Sequence, residues 1–418
     1  MKKIFKAIKH TPILIVIIIV VLFFLPPAIA SSAETTKKAI IVALGIDKNE
    51  DEFELSFLTF VPIANQNFVE NYKVISSTGD SISKAIDLAG LNIGKEVTLS
   101  HTTTTIINEN MLEEDVIKYI DYLKRTINLS NNTSFVCTND SAKNLMIEIQ
   151  KLSSGDGINI EEIIAKNRDY IYSLDNTLER FCRGYYGYEK SSVMTYVSLE
   201  GSDAPNGIDA TPSDGGGPSG SSSGDLSSSS GGSSNQEMKK IVNDGKTLLI
   251  KNGKKVGELN REELKSVNLF TGNFKQGTIK IDDVNVGSFS HTDLTYLIYS
   301  QGSKIRTSFE NGIPIVSVNL KIEAALEEIL ANDKKVEINS EISKISQEIK
   351  DLIEHKVKEK FASTLAILRE KKTDILGIYS RFMRSNRKEF KNYLETLEDK
   401  EEYLDGILFR FSVKTTPG

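Results

Sequence analysis

Apolar positions along this chain fall into blocks of different period. The first block is unbroken: Ile13 to Leu25 holds no polar side chain and follows Lys2, Lys3, Lys6 and Lys9. Beyond it, Lys38 to Asp47 carries Ala39, Ile40, Ile41, Val42, Ala43 and Leu44 in a row and reads as a strand. Phe53 to Val61 alternates, with Phe53, Leu55 and Phe57 on one face. Lys48-Asn49-Glu50-Asp51 between them is turn chemistry, so the pair reads as a hairpin. A shorter strand is expected near Tyr72 to Ser76. Asp80 then stands as a helix N-cap before the stripe Ile82, Ala85, Ile86 and Ala89. Val97 to Asn108, which includes His101, is β-branched and threonine-rich and reads as one strand. Glu113 to Ile127 reads as an amphipathic helix on Val116, Ile117, Ile120 and Leu123. Thr133 to Thr138 is a strand, Asp140 caps a helix through Leu145, Ile149 and Leu152, a helical stretch covers about Ile160 to Cys182, and Ser191 to Leu199 closes the unit as a strand. Such interleaving predicts a mixed α/β domain over residues 36–200.

From Gly201 to Glu237 the pattern vanishes. More than half of these residues are glycine or serine, which describes a flexible tether with an r.m.s. span of roughly 30–35 Å. Gly220-Ser221-Ser222-Ser223-Gly224 and Gly215-Gly216-Gly217-Pro218-Ser219-Gly220 imitate a nucleophile elbow and a dinucleotide fingerprint. Neither lies between a strand and a helix, where such patterns carry chemistry.

Period returns with Thr247 to Lys251 and Lys254 to Leu259 around Asn252-Gly253, a type I′ hairpin signal. Arg261 to Lys265 reads as a short helix, Gly277 to Val286 and Thr307 to Glu310 as strands, and Ile313 to Ala325 as a longer strand with Ile315, Val318, Leu320 and Ile322. From about Ser340 to Lys372, Ile342, Ile345, Ile349, Leu352, Ile353, Val357, Phe361, Leu365 and Leu368 mark one helix face for roughly 33 residues, about 50 Å. The spacing predicts a long helix, either lying across a sheet or offering its face to a partner protein. Asp374 caps a short helix, Ser385 starts another through Phe390 and Leu394, and Gly406 to Lys414 is a terminal strand. The whole is an α+β or mixed α/β, multi-lobed protein. Its C-terminal α/β domain covers 238–418 and is divisible into lobes at about 238–300 and 301–418.

Composition sharpens this picture only in part. The chain has 418 residues, 39% hydrophobic and 26% charged, enough for real cores. Its formal net charge of −6 includes the four leader lysines, so the remainder is more acidic still. An acidic chain is a poor partner for nucleic acid. Two cysteines, Cys137 and Cys182, are too few for a disulfide scaffold; they either pair or stand as buried thiols.

The leader admits two readings. Thirteen apolar residues are short for a bilayer span, Pro26-Pro27 breaks the helix, and Ala28-Ile29-Ala30 or Ser31-Ser32-Ala33 fits signal cleavage, which makes 1–33 a signal peptide. Alternatively an uncleaved anchor runs from about Thr11 to Ala30, held by the lysines on the inside. Either way the chain is exported. No cysteine follows the apolar run, so a lipobox is excluded.

Catalytic equipment is not evident. The histidines are His10, His101, His291 and His355, none at metal-ligand spacing, and there is no HExxH or CxxC. Acidic pairs such as Asp51-Glu52, Glu113-Glu114 and Glu161-Glu162 read as solvated. No catalytic, cofactor or metal residue is expected, and the chain reads as a non-enzyme.

Several segments nonetheless resemble a known family. Ala43-Leu44-Gly45-Ile46-Asp47 after the export signal, Gly79-Asp80-Ser81-Ile82-Ser83-Lys84-Ala85-Ile86, and the His101 segment with Asn108-Glu109 are similar to the first half of the Ger(x)C spore-germination proteins. Asn252-Gly253-Lys254-Lys255-Val256-Gly257-Glu258-Leu259 resembles the hairpin that opens their C-terminal domain. Lys372-Thr373-Asp374-Ile375-Leu376-Gly377, followed by Arg381 and Lys388, resembles their Asp-x-x-Gly segment. On this resemblance Gly45, Asp47, His101, Gly257, Asp374 and Gly377 are family-motif positions with structural or interaction roles. For Asp374 and Gly377 a structural role is expected.

The resemblance implies the C subunit of a nutrient germinant receptor at the outer face of the spore inner membrane. Such a subunit acts beside integral-membrane A and B subunits, and a small nutrient is sensed by the complex rather than necessarily by this chain. Two departures stand out: family members typically carry a lipobox cysteine, and the tether is longer than expected. An extracytoplasmic solute-binding protein of a transporter and a secreted hydrolase are the competing classes.

Overall fold

The computed structural model describes residues 38–60, 72–155, 171, 176–200, 241–243, 245–286, 289–331, 334–335 and 347–417. The leader, the tether, residues 160–170 and 172–175 of the expected helical stretch and residues 340–346 of the expected long helix lie outside them. Of the rest of that helical stretch, Thr177 is extended and bridges Ser134, and the helix begins only at Leu178.

The first half supplies β1 (Lys38–Asn49), β2 (Glu52–Phe60), β3 (Tyr72–Gly79), α1 (Ile82–Ile93), β4 (Glu96–Thr98), β5 (Thr104–Asn108), α2 (Ile117–Thr126), β6 (Ser134–Thr138), α3 (Ala142–Gly155), α4 (Leu178–Tyr186), β7 (Ser191–Tyr196) and β8 (Ser198–Leu199). Past the tether come β9 (Ile241–Val242), which pairs with β8, then β10 (Thr247–Lys251) and β11 (Lys254–Leu259). Nine strands form one sheet in the order β11-β10-β7-β6-β5-β1-β2-β3, with β4 on β1. β1, β5, β6 and β7 run parallel, and the hairpins at either end run antiparallel.

The apolar run in β1 follows from burial on both faces. Leu44 and Ile46 pack with α1, α2 and α4, while Ala43 packs with Ala142, Met146 and Ile149 of α3. Ile107 and Ile106 of β5, and Phe135 and Val136 of β6, divide in the same way.

The second sheet is built from β12 (Gln276–Val286), β13 (Phe289–Glu310), β14 (Ile313–Ala331), β15 (Lys334–Lys335) and β16 (Leu408–Pro417). β13 and β14 form a hairpin of 22 and 19 residues whose two-residue turn is Asn311-Gly312, at φ 52° and 82°. β16 returns parallel to β14. Between the strands lie α5 (Arg261–Thr271), α6 (Gln347–Glu370), α7 (Ile378–Ser385) and α8 (Arg387–Glu395). α6 lies on this sheet through Ile349, Ile353 and Val357, then Phe361, Leu365 and Leu368; Phe361 stacks on Phe411 of β16 at 5.0 Å. The fold is mixed α/β, with a long helix on a sheet in the C-terminal half.

Local differences from the sequence reading have local causes. Ser81, not Asp80, caps α1 by accepting from the Lys84 N–H, which frees Asp80 to pair with Lys84 Nζ at 2.9 Å. The expected strand Val97–Asn108 breaks after Thr98, where Leu99 N–H donates to Ile127 O and Thr102 N–H to Leu99 O. The expected helix from Glu113 opens as a 3-10 turn at Glu109–Glu113 before α2. α5 runs past Lys265 to Thr271 because an Asn260/Glu263 capping box starts it and Gly272, at φ 70°, ends it. His291 falls in β13, and Leu352, expected on the apolar face of α6, is 39% exposed. Cys137 and Cys182 are buried free thiols in β6 and α4, and burial pushes both upward.

Candidate functional site

The end of α6 sets up the densest buried polar cluster. Lys372 adopts φ 50°, its N–H donates to Arg369 O, and Thr373 N–H donates to Leu368 O at 2.8 Å, the pattern of a helix closed by a left-handed residue. Lysine there is held outward by Asp399 at 2.6 Å and Glu402 at 2.8 Å, and the Asp399 hydrogen bond is the chief cause of its raised pKa. The chain then turns Asp374 inward, 2% exposed.

Every contact to the Asp374 carboxylate comes from a donor. Oδ1 accepts from Leu376 N–H at 3.1 Å and Ile378 N–H at 3.0 Å. Oδ2 accepts from Tyr379 N–H at 2.8 Å and Tyr403 Oη at 2.6 Å. These amides include the first turn of α7, whose N-cap, Gly377 at φ 68° and ψ 35°, has no side chain to offer. Asp374 caps the helix in its place. Burial pushes the Asp374 carboxyl above its ordinary range, while Tyr403 and the two α7 amides pull it back. Burial, and next the Asp374 charge, drives Tyr403 well above the usual phenol range.

The cluster crosses between the halves. Asp374 N–H donates to Ser191 Oγ on β7 at 3.1 Å, and Ser191 Oγ donates to Glu189 O at 2.8 Å. Glu189 Oε1 accepts from Ser380 N–H of α7 at 2.8 Å, so a first-half carboxylate serves the same helix start. Lys251, at the end of β10, donates its Nζ to Glu189 O at 3.1 Å, and burial lowers its pKa. Tyr188 stacks on Tyr379 at 5.3 Å.

A second aspartate behaves alike within the first half. Asp47, 3% exposed at the end of β1, accepts from Ala142 N–H at 2.7 Å, Lys143 N–H at 3.1 Å and Ser141 Oγ at 3.0 Å. It therefore caps α3, the role the sequence suggested for Asp140; Asp140 instead accepts from Leu199 N–H at 3.2 Å. Gly45, two residues earlier, lets α3 approach, since a Cβ there would lie 2.7 Å from Met146 Sδ and 3.2 Å from Ala142 Cβ. Burial raises the Asp47 carboxyl, opposed by the Ala142 and Lys143 amides and Ser141.

The motif positions thus gather into two places. Gly45 and Asp47 meet at α3; Asp374 and Gly377 meet at α7, with Gly257 beside them in chain terms because its Cβ position faces Lys371 Cγ at 3.1 Å. His101 is exposed in the turn between β4 and β5 and joins neither group. Glu189, Ser191, Lys251 and Tyr403 were missed. Asn252-Gly253, at φ 50° and 77°, announced the hairpin that positions Lys251, but not its pairing with β7. Beside this cluster lies a cleft of about 530 Å³ lined from both halves. Among the described residues no group of three or more His, Cys, Asp or Glu side chains is placed to hold a metal ion.

Fold and junction together define a mixed α/β protein of two halves, in which the hairpin that follows the tether completes the sheet of the first. Residues 31–199 match the model described as "Spore germination protein N-terminal domain", and residues 244–416 match "Spore germination B3/ GerAC like, C-terminal". The chain belongs to this GerAC-like spore-germination family. Its fold is similar to that in the crystal structure of the GerBC protein, with a TM-score of 0.51 at 15% identity, covering 90% of this chain and 96% of that one. No curated protein matches the sequence.

Proposed function

We propose that this chain is the C subunit of a nutrient germinant receptor, a non-enzymatic component exposed at the outer face of the spore inner membrane beside integral-membrane A and B subunits. The observation that carries the reading is the ordered pair of spore-germination domain matches over 31–199 and 244–416. The lysine-led apolar leader supports export and membrane proximity, whether it is cleaved or kept as an anchor. The junction also fits a transmitting rather than a reacting part. Both oxygens of Asp374 are spent on helix amides and a tyrosine, and Glu189 Oε1 on the Ser380 amide, so the cluster serves to hold the start of α7.

The test is nutrient-triggered germination in a strain lacking this chain, with a non-nutrient trigger as control. The reading predicts loss of the response to one nutrient class with the control intact. An unchanged response to every nutrient, in a strain with no second receptor of this family, would contradict it.

A further inference from the structure

The cleft beside the Asp374 network is walled by α4 and β7 of the first half and by α7 of the second. Four guanidinium groups line it: Arg180 and Arg183 from α4, Arg381 and Arg384 from α7. The carboxylates around them have other partners. Glu179 pairs with Arg183 at 2.5 Å, Asp374 accepts four donors, and Glu189 Oε1 accepts from the Ser380 amide. Arg384 Nε donates to Ser380 O at 3.3 Å.

Arg381 is different. Its Nε is sealed from solvent and has no hydrogen-bond partner among the described residues. A guanidinium does not shed its proton to escape burial, and leaving a buried donor unmet is costly. Burial, then the neighbouring Arg384, lowers its pKa, with Asp374 in opposition. Arg381 Nε lacks an acceptor within the protein, and the planar guanidinium fork, which reaches the cleft, suits two oxygens of one carboxylate or phosphate. The cleft, at about 530 Å³, is of the size that small-molecule sites occupy.

We propose that this cleft binds a small oxyanion, carboxylate or phosphate, which pairs with Arg381 and contacts both halves at once. The inference goes beyond the receptor assignment and concerns the chain by itself, so no partner subunit enters its test. Binding there would favour the arrangement in which α4 and α7 face one another, because a ligand stabilises the form that holds it.

The full-length chain in detergent is titrated with sodium phosphate and, separately, with sodium succinate, at constant ionic strength made up with sodium chloride. At least one of the two is expected to raise the melting temperature and to give a saturable binding isotherm, and the arm that responds identifies the oxyanion class. Arg381→Met is expected to weaken that binding about 10-fold or more, the size of effect of losing a charge-assisted bidentate pair. Its anion-free melting temperature is expected to equal or exceed that of the native chain, because an unmet buried donor has been removed. Arg384→Met, at a more exposed site, is expected to weaken binding less. Absence of saturable binding by either anion overturns the proposal, as does equal binding by Arg381→Met. A large drop in anion-free stability of Arg381→Met, or its failure to fold, also overturns it, since the guanidinium would then be serving the protein's own packing.

Discussion

Asp47 and Asp374 perform one local task in two different settings. Each is buried, Asp47 near the end of β1 and Asp374 in the loop after α6, and each caps a helix from outside it. Asp47 closes a circuit inside the first half, between β1 and α3. Asp374 caps α7 while its own N–H donates to β7, and Glu189 returns from the first half to the same helix. An identical piece of capping chemistry therefore stabilises a fold in one place and a relation between two halves in the other. The lesson is that the energy of a buried cap belongs to whatever surfaces it connects, not to the helix alone.

Replacing the two residues breaks the comparison most directly. Asp374→Ala orphans three amides and a tyrosine hydroxyl and is expected to cost about 3–4 kcal/mol, from a lost cap plus unmet buried donors. Asp47→Ala orphans two amides and a serine and should cost about 2 kcal/mol. Denaturant unfolding of the full-length variants measures both, and equal or reversed costs would contradict the account.

The same pair sharpens with pH. Both carboxyls are raised from 3.8, so the folded chain holds their protons to higher pH than the unfolded chain does. The contribution of each is complete below 3.8 and shrinks as pH rises through its folded value. The stability gap between the native chain and Asp374→Asn, or Asp47→Asn, should accordingly narrow as pH rises from below 3.8. A gap that widens over that range would show the directions to be wrong.

Glycine substitutions give smaller effects that rank the motif positions. Gly45→Ala pushes a methyl group against Met146 and Ala142 of α3 and should cost about 1–3 kcal/mol by overpacking. Gly377→Ala meets nothing within 4 Å but keeps φ at 68°, a strain of about 1 kcal/mol. Gly257→Ala meets only the flexible stem of Lys371 and should stay within about 0.5 kcal/mol of the native chain. Thermal melts of the three would expose any other order.

How much of this was legible depended on whether the determining contact is near in sequence. The apolar run of β1, the stripe of α1, the Asn252-Gly253 turn and the face of α6 are written in local period and turn chemistry, and the structure carries all four. Asn311-Gly312 carries the same turn signal, yet the pattern before it predicts only the last residues of β13, Thr307 to Glu310, because the rest of that strand shows no clean alternation. Asp374 as a helix cap was legible because the helix follows at once. Asp47 as the cap of α3 was not, since 94 residues separate it from Ser141. Glu189 and Ser191 lie 191 and 183 positions from their partners in the second half, and nothing in Tyr188-Glu189-Lys190-Ser191 marks them. Long-range capping leaves no period to read.

Hydrogen exchange on the full-length chain, native against Asp374→Ala and Asp47→Ala, tests the central claim that Asp374 binds the halves together. The account predicts faster exchange in Asp374→Ala both around Leu376–Ser380 and around Ser191–Thr195 and Thr247–Lys251, while Asp47→Ala speeds exchange only within the first half. Faster exchange confined to the segment after Asp374, with β7 and β10 as protected as in the native chain, would contradict it.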